Sequence, residues 1–313
     1  MKIIISQIFI LVSLQVSGQH LWQVPRPLMS KEALNEIIGA TSPDPLGKEL
    51  RILWVYGYDA HHIAGAHDYD KIKDLMMSLL TKVEKVTVEE VFEFPTEEQL
   101  DNANLVVMYL EQPTWQKNQF EIFKNFIKKG GGVVSLHIAS AMLPASEGKL
   151  LSECLGFAWN DGTSKWGAIF DDITINNQHD IFRGFPSKIT INDEVYWDLF
   201  QEEAVHILGS VRTGSTEDSE GPIPKEKLSK EKSPLFWTYE LGSGKVFGST
   251  IGHHTFTYFD PEFRIILLRA MAWAASVKPD PFMPLVFDGI TDKNNMVGTT
   301  DLMRNWIGKK RAR

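Results

Sequence analysis

A chain of 313 residues with 43% hydrophobic content can bury a full core, as one large domain or two small ones. Its net charge of -8 argues against nucleic acid as a partner, because phosphate binding calls for clustered positive charge. The only basic run, Lys309 to Arg313, reads as a solvated tail, and the single cysteine, Cys154, excludes an intrachain disulfide.

At the amino terminus, Lys2 precedes a largely apolar stretch from Ile3 to Val16, and Val16-Ser17-Gly18 places small residues before a cleavage point at Gln19. Residues 1–18 are therefore expected to be a secretory signal, and the mature protein to be secreted or periplasmic. No other stretch is apolar for long enough to cross a bilayer. Residues 19–50 read as an N-terminal extension, 51–277 as one folded unit, and 278–313 as a C-terminal extension. Within the last, the apolar run from Phe282 to Phe287 suits docking on the domain or on a second subunit of a homo-oligomer.

From Arg51 apolar runs alternate with amphipathic helices. Arg51 to Tyr56 reads as a buried strand, Tyr69 to Val83 as a helix with Ile72, Leu75, Met76, Leu79 and Leu80 on one face, and Val86 to Phe92 as a second strand. Ala103 to Leu110 is a third strand. A helix opening at Thr114 carries Phe120, Phe123, Phe126 and Ile127, and the Gly130-Gly131-Gly132 run ends it and feeds a fourth strand. This rhythm predicts an α/β fold, an open and mostly parallel sheet flanked by helices. The second half is richer in strands, expected over Ala168 to Ile175, Ile189 to Trp197 and Val205 to Val211. Glu217 to Ser233 reads as an exposed loop. Leu235 to Tyr239 and Lys245 to Ile251 form a hairpin across Gly242-Ser243-Gly244, and a helix from Pro261 to Val277 closes the unit.

Loops at the carboxyl ends of parallel strands line the ligand crevice of such folds, and four segments put histidine or carboxylate there. The first, Gly57 to Asp68, contains His61, His62 and His67. In the second, the fourth strand breaks into small residues around His137, with Ser135, Ala139 and Ser140 meeting the size demand of a tight strand-to-helix elbow. The third, Asn192 to Trp197, sets Asp193 and Glu194 inside an apolar, aromatic run. Strand periodicity puts these two acids on opposite faces, and a buried carboxylate needs a metal, a histidine or a sugar hydroxyl beside it. The fourth, Gly252 to Phe256, carries His253 and His254. The spacing of these histidines matches no short-range metal signature, so acid-base chemistry is as compatible with them as ligation. Of the tryptophans, Trp115, Trp159, Trp166, Trp197 and Trp237 read mostly as core, with a few at the crevice rim suited to stacking on sugar rings.

With these residues in place, the chain resembles the ThuA-like (trehalose utilisation) proteins, whose fold is similar to that of class I glutamine amidotransferases, a flavodoxin-like arrangement. The resemblance covers Arg51 to Ser276. It rests on Gly130 to Gly132 with Leu136-His137, on His179 to Pro186, on Asp193 to Tyr196, on Pro234 to Trp237, on Gly244 to Phe247, and on Gly252-His253. In the amidotransferases the elbow carries a cysteine nucleophile. Here His137 stands at that position and Cys154 lies beyond it, which argues against glutamine hydrolysis.

The resemblance implies carbohydrate metabolism. The resulting expectation is an enzyme acting on a sugar or keto-sugar derivative, with His137, Glu194 and His253 as the catalytic set. His61, His62, Asp193, Tyr196, Trp237 and His254 are expected to face substrate. His61, His137 and His253 would hold a divalent metal such as zinc or iron if one is used. Hydrolysis, lyase chemistry and isomerisation all need such an acid and base, and a non-catalytic carbohydrate-binding protein is the alternative.

Overall fold

The computed structural model describes residues 28–39, 45–59, 62, 65–111, 115–141, 145–214 and 219–290. The proposed signal segment and residues 291–313 lie outside these. In chain order the first half comprises α1 (Lys31–Ile38), β1 (Leu50–Tyr56), α2 (Tyr69–Leu80), β2 (Val86–Phe92), α3 (Glu97–Asn102), β3 (Leu105–Tyr109), α4 (Lys117–Lys128), β4 (Gly132–Leu136) and α5 (Ala145–Leu155). The second half comprises β5 (Phe157–Ala158), β6 (Lys165–Ile169), β7 (Ile173–Ile175), β8 (Lys188–Ile189), β9 (Asp193–Trp197), β10 (Phe200–Gln201), β11 (Val205–Gly214), β12 (Ser219–Pro222), β13 (Leu228–Leu241), β14 (Gly244–Ser249) and α6 (Pro261–Ala274).

Nine strands form the main sheet in the order β2-β1-β3-β4-β14-β13-β11-β7-β8. The pairs from β2 to β14 are parallel, and those from β14 to β8 are antiparallel. The chain leaves β1 for β2 on one side and returns to β3 on the other, so strand order reverses at β1. That reversal opens the crevice in which α/β folds bind ligands. A three-stranded sheet, β12-β6-β9, carries Asp193 and Glu194.

Alternation along the central strands divides the core into two layers. Ile52, Trp54, Val107, Val134 and Leu136 pack with α2 and α6 on one face, while Leu53, Val55, Val106, Met108 and Val133 pack with α4 and α5 on the other. α6 starts at Asp260, whose side chain accepts from the Glu262 amide, with Pro261 in the first turn where no backbone donor is needed. Its buried length explains why it closes the unit: Phe263, Ile266, Leu267 and Ala270 are all at most 1% exposed. The 280–287 turn also packs there, burying Phe282, Met283, Leu285 and Val286, so the apolar run of the C-terminal extension docks on its own domain.

The structure departs from sequence expectation in the second half. The strand expected over 168–175 is two strands in different sheets, and so is that over 189–197. Asp171, at the first break, accepts from Arg212 Nε at 2.7 Å and pins the crossing between sheets. Residues 217–233 are not a loop, since β12 and the start of β13 occupy most of them. α5 was hidden by Gly148, where a Cβ would come within 2.3 Å of the Trp159 carbonyl oxygen. Glycine there costs helix propensity and permits close packing. No helix among the described residues is long and apolar enough to cross a membrane.

Candidate metal centre and cleft

β4 ends in an elbow. His137 has φ 53, a left-handed conformation unusual for a residue other than glycine, and opens a short 3-10 turn through Ser140. The turn is closed by small groups: Ala139 is buried, and Ser140 Oγ donates to the His137 carbonyl at 2.9 Å. Across the sheet, Gly252 has φ 136, and a Cβ there would meet the Tyr258 hydroxyl at 2.8 Å and the His137 Cβ at 3.3 Å. Only glycine lets the 252–254 loop approach His137 this closely.

Two loops then zip together over the elbow. The His67 amide donates to the His253 carbonyl at 3.0 Å, the Thr255 amide donates to the Gly65 carbonyl at 2.9 Å, and Ala66 bridges His254. Asp68 fastens this junction by accepting from the Gly65 amide at 2.9 Å and the Thr255 hydroxyl at 2.6 Å. The consequence is convergence of side chains from opposite ends of the chain. His67 Nε2 lies 3.2 Å from His137 Nε2 and 2.8 Å from His253 Nδ1. Glu194 Oε1 completes the group at 3.7 Å from His137 and 3.5 Å from His253.

Asp193 and Glu194 face opposite ways, as a strand requires. Glu194 turns to the cluster. Asp193 turns behind it, accepting from the Gly252 amide at 3.0 Å, the Thr257 hydroxyl at 2.7 Å and the Glu194 amide at 2.8 Å. Burial pushes its carboxyl up to about 7 against the lowering effect of these donors. Asp193 thus supports the His253 loop rather than meeting substrate.

The donor set fits a cation. His137 Nδ1 faces the Thr250 carbonyl at 2.7 Å, and because a carbonyl only accepts, Nδ1 carries the hydrogen and Nε2 presents its lone pair to the cluster. Burial drives the His137 imidazolium down to about 3 and lowers that of His253 well below the ordinary range, so both rings are neutral, the form that binds metal. Ligand bonds of about 2.0–2.2 Å separate donor atoms by roughly 3.3–3.6 Å around a tetrahedral ion and roughly 2.8–3.1 Å around an octahedral one. The four separations given above, from 2.8 to 3.7 Å, lie in or close to those ranges, and two sets of three donors that share His253, His62-His67-His253 and His137-Glu194-His253, each lie within 4.8 Å of one another. Three imidazoles and one carboxylate suit zinc or ferrous iron better than magnesium or calcium.

Above the cluster is a cleft of about 340 Å³ lined by His62, Glu111, Trp159, Asp161, Trp166 and Tyr196, among others. Its volume is at the low end of the about 300–1,000 Å³ usual for small-molecule sites. Tyr196 joins the cleft to the cluster, its hydroxyl 2.7 Å from His137 Nε2 and its ring stacked on the imidazole with centroids 4.6 Å apart. His62 stacks on His67 at 3.7 Å and is oriented by Asp59, 3.0 Å from its Nδ1.

The structure therefore gathers His137, Glu194, His253, Tyr196 and His62 at one site. His61 lies outside the described residues, and the first-loop histidine whose ring nitrogen reaches His137 and His253 is His67. Trp237 and His254 do not line the cleft. The Trp237 indole is buried in the core, lies against Gly248 and donates to the Leu155 carbonyl at 2.8 Å, while His254 is buried against Phe256 with ring centroids 4.6 Å apart. Sequence reading passed over Glu111, whose signal was its position directly after the third strand. It also passed over Asp161, for which no sequence signal existed.

A model of the family described as "ThuA: Trehalose utilisation" matches residues 52–274, most of the chain. The chain belongs to the ThuA family. Membership supports a general role in carbohydrate metabolism. Among solved structures, a putative ThuA-like protein from Bacteroides uniformis is 16% identical with a TM-score of 0.59, covering 77% of this chain and 99% of its own. A second, from Parabacteroides merdae, is 18% identical with a TM-score of 0.56, covering 73% and 91%. At these identities the likeness extends to the fold of the ThuA protein alone. No curated protein matches the chain.

Proposed function

We propose that this ThuA-family protein is an exported enzyme that acts on a sugar or keto-sugar derivative by histidine and carboxylate chemistry with help from a divalent metal. The observation that carries the reading is the convergence of His67, His137, His253 and Glu194 at the floor of the cleft. Export rests on the apolar segment after Lys2.

A bound divalent ion would polarise a substrate oxygen or acidify a water, and the three histidines with Glu194 are the residues that would hold it. The protein's own groups supply the rest. The Tyr196 hydroxyl donates to His137 Nε2 at 2.7 Å, and an ion held by that nitrogen would free it to donate to a substrate oxygen in the cleft. Glu194 lines the cleft as well as the cluster, so its carboxylate can take a proton from a sugar hydroxyl or a carbon beside a carbonyl. Burial of the three rings keeps bulk water from the reacting atoms, which strengthens each of these interactions.

Turnover on a panel of glycosides and keto-sugars tests this reading. The wild type is expected to transform at least one member, and His137→Ala to lose that turnover while retaining much of its sugar affinity. A wild type that binds sugars and transforms none would leave a non-catalytic carbohydrate-binding protein.

A further inference from the structure

The walls of the cleft divide by chemistry. Trp159 and Trp166 are half-buried and present broad apolar surface, and Trp159 packs edge-on against Tyr196 with centroids 5.4 Å apart. The polar lining is acidic: Glu111 follows β3, the exposed Asp161 follows Trp159, and Glu194 rises from the floor. No lysine or arginine lines the cleft among the described residues.

The chain itself explains that absence. Apart from β6, which brings Trp166, the segments that bring residues to the site are 57–67, 110–116, 137–145, 157–163, 193–197 and 252–258, and none of these contains a lysine or an arginine. Lys117 follows the 110–116 segment as the first residue of α4, and Lys165 precedes Trp166 on β6, where successive side chains of a strand point to opposite faces. A divalent ion on the cluster would contribute two positive charges. Three carboxylates, Glu111, Asp161 and Glu194, line the cleft, and Asp59 stands behind His62, so acidic groups dominate its charged lining.

Sites that bind phosphate or carboxylate use the opposite construction, with arginine forks, lysines or helix amino termini aimed at the anion. The geometry points to a cleft selective for uncharged, polyhydroxylated rings, stacked on Trp159 and Trp166, with Glu111 and Asp161 as an acidic rim that excludes phosphorylated and uronic sugars. Carboxylates suit this task twice over. They accept hydrogen bonds from sugar hydroxyls, and they repel an anionic substituent, which is the repulsive element that selectivity needs. A substrate of this class reaches the enzyme from a reaction that releases or oxidises free sugars, not from one that phosphorylates them.

This inference rests on the sugar reading above and is tested separately from it. The metal-loaded protein is titrated calorimetrically with methyl glucoside, glucuronate and glucose 6-phosphate at low salt. The neutral glycoside is expected to bind about tenfold or more tightly than either anion, with the gap narrowing as added salt screens the rim. Glu111→Gln combined with Asp161→Asn is expected to narrow the ratio severalfold by strengthening anion binding. Asp161→Asn alone, at an exposed loop position that leaves the core untouched, should move it in the same direction. Either anion binding the wild type as tightly as the glycoside, or a ratio unmoved by both variants, would overturn the rim. Failure of all three sugars to bind would instead overturn the sugar reading, and the rim with it.

Discussion

The inner cluster and the cleft outside it differ in how their side chains are held. His67, His137, His253 and Glu194 are at most 6% exposed, and His137 and His253 rest on a left-handed elbow and a loop fixed by Gly252, Asp68 and Asp193. The cleft residues Glu111, Trp159, Asp161 and Trp166 are half-buried or exposed and come from loops and the three-stranded sheet. Such a division separates chemistry from selection: the floor depends on sub-ångström placement, while the walls can vary without unfolding the site.

Substitutions can break that comparison. The largest effect is expected from His137→Ala, which removes the central side chain of the cluster and should lower turnover on any accepted sugar by about 10³-fold or more, read as kcat under saturating substrate. Gly252→Ala comes next. A side chain at φ 136 is strained and collides with Tyr258 and His137, so a loss of about 2–4 kcal/mol is expected in denaturant unfolding, together with loss of metal.

Asp193→Asn touches no ligand, yet it weakens the acceptor that holds the Gly252 amide. Metal affinity is expected to fall about 10- to 100-fold by competition with a chelator, with a smaller change in melting temperature. The smallest effect belongs to the wall. Trp159→Ala should cost about 1–2 kcal/mol of sugar binding in a calorimetric titration and leave metal content intact. Loss of metal on changing Trp159, or its full retention on changing Asp193, would erase the distinction between floor and wall.

Much of this was legible in the chain before the structure. The βαβ rhythm from Arg51 to Leu136 gave the parallel half of the sheet, and the glycine-led strand breaking at His137 gave the elbow, because both signals are local. Opposite facing of Asp193 and Glu194 followed from strand periodicity alone. His67 could not be singled out from its neighbours. What selects it is the pairing of the 65–67 segment with 253–255, a contact between residues 186 positions apart at its closest ring pair. Trp237 misled for a related reason. Its motif marks a strand, and only the approach of Gly248 shows that the indole lies flat in the core. Asp161 carried no signal, because a charged residue in a turn looks the same on any surface.

The central claim is that histidines from the first loop, the elbow and the 253 loop form one metal centre with Glu194. Elemental analysis of the purified protein after zinc or iron supplementation and desalting tests it most directly, with His67→Ala and His137→Ala measured in parallel. About one equivalent of a divalent ion per chain is expected in the wild type, and a small fraction of that in either variant. A metal-free wild type after supplementation, or undiminished metal in both variants, would contradict the account.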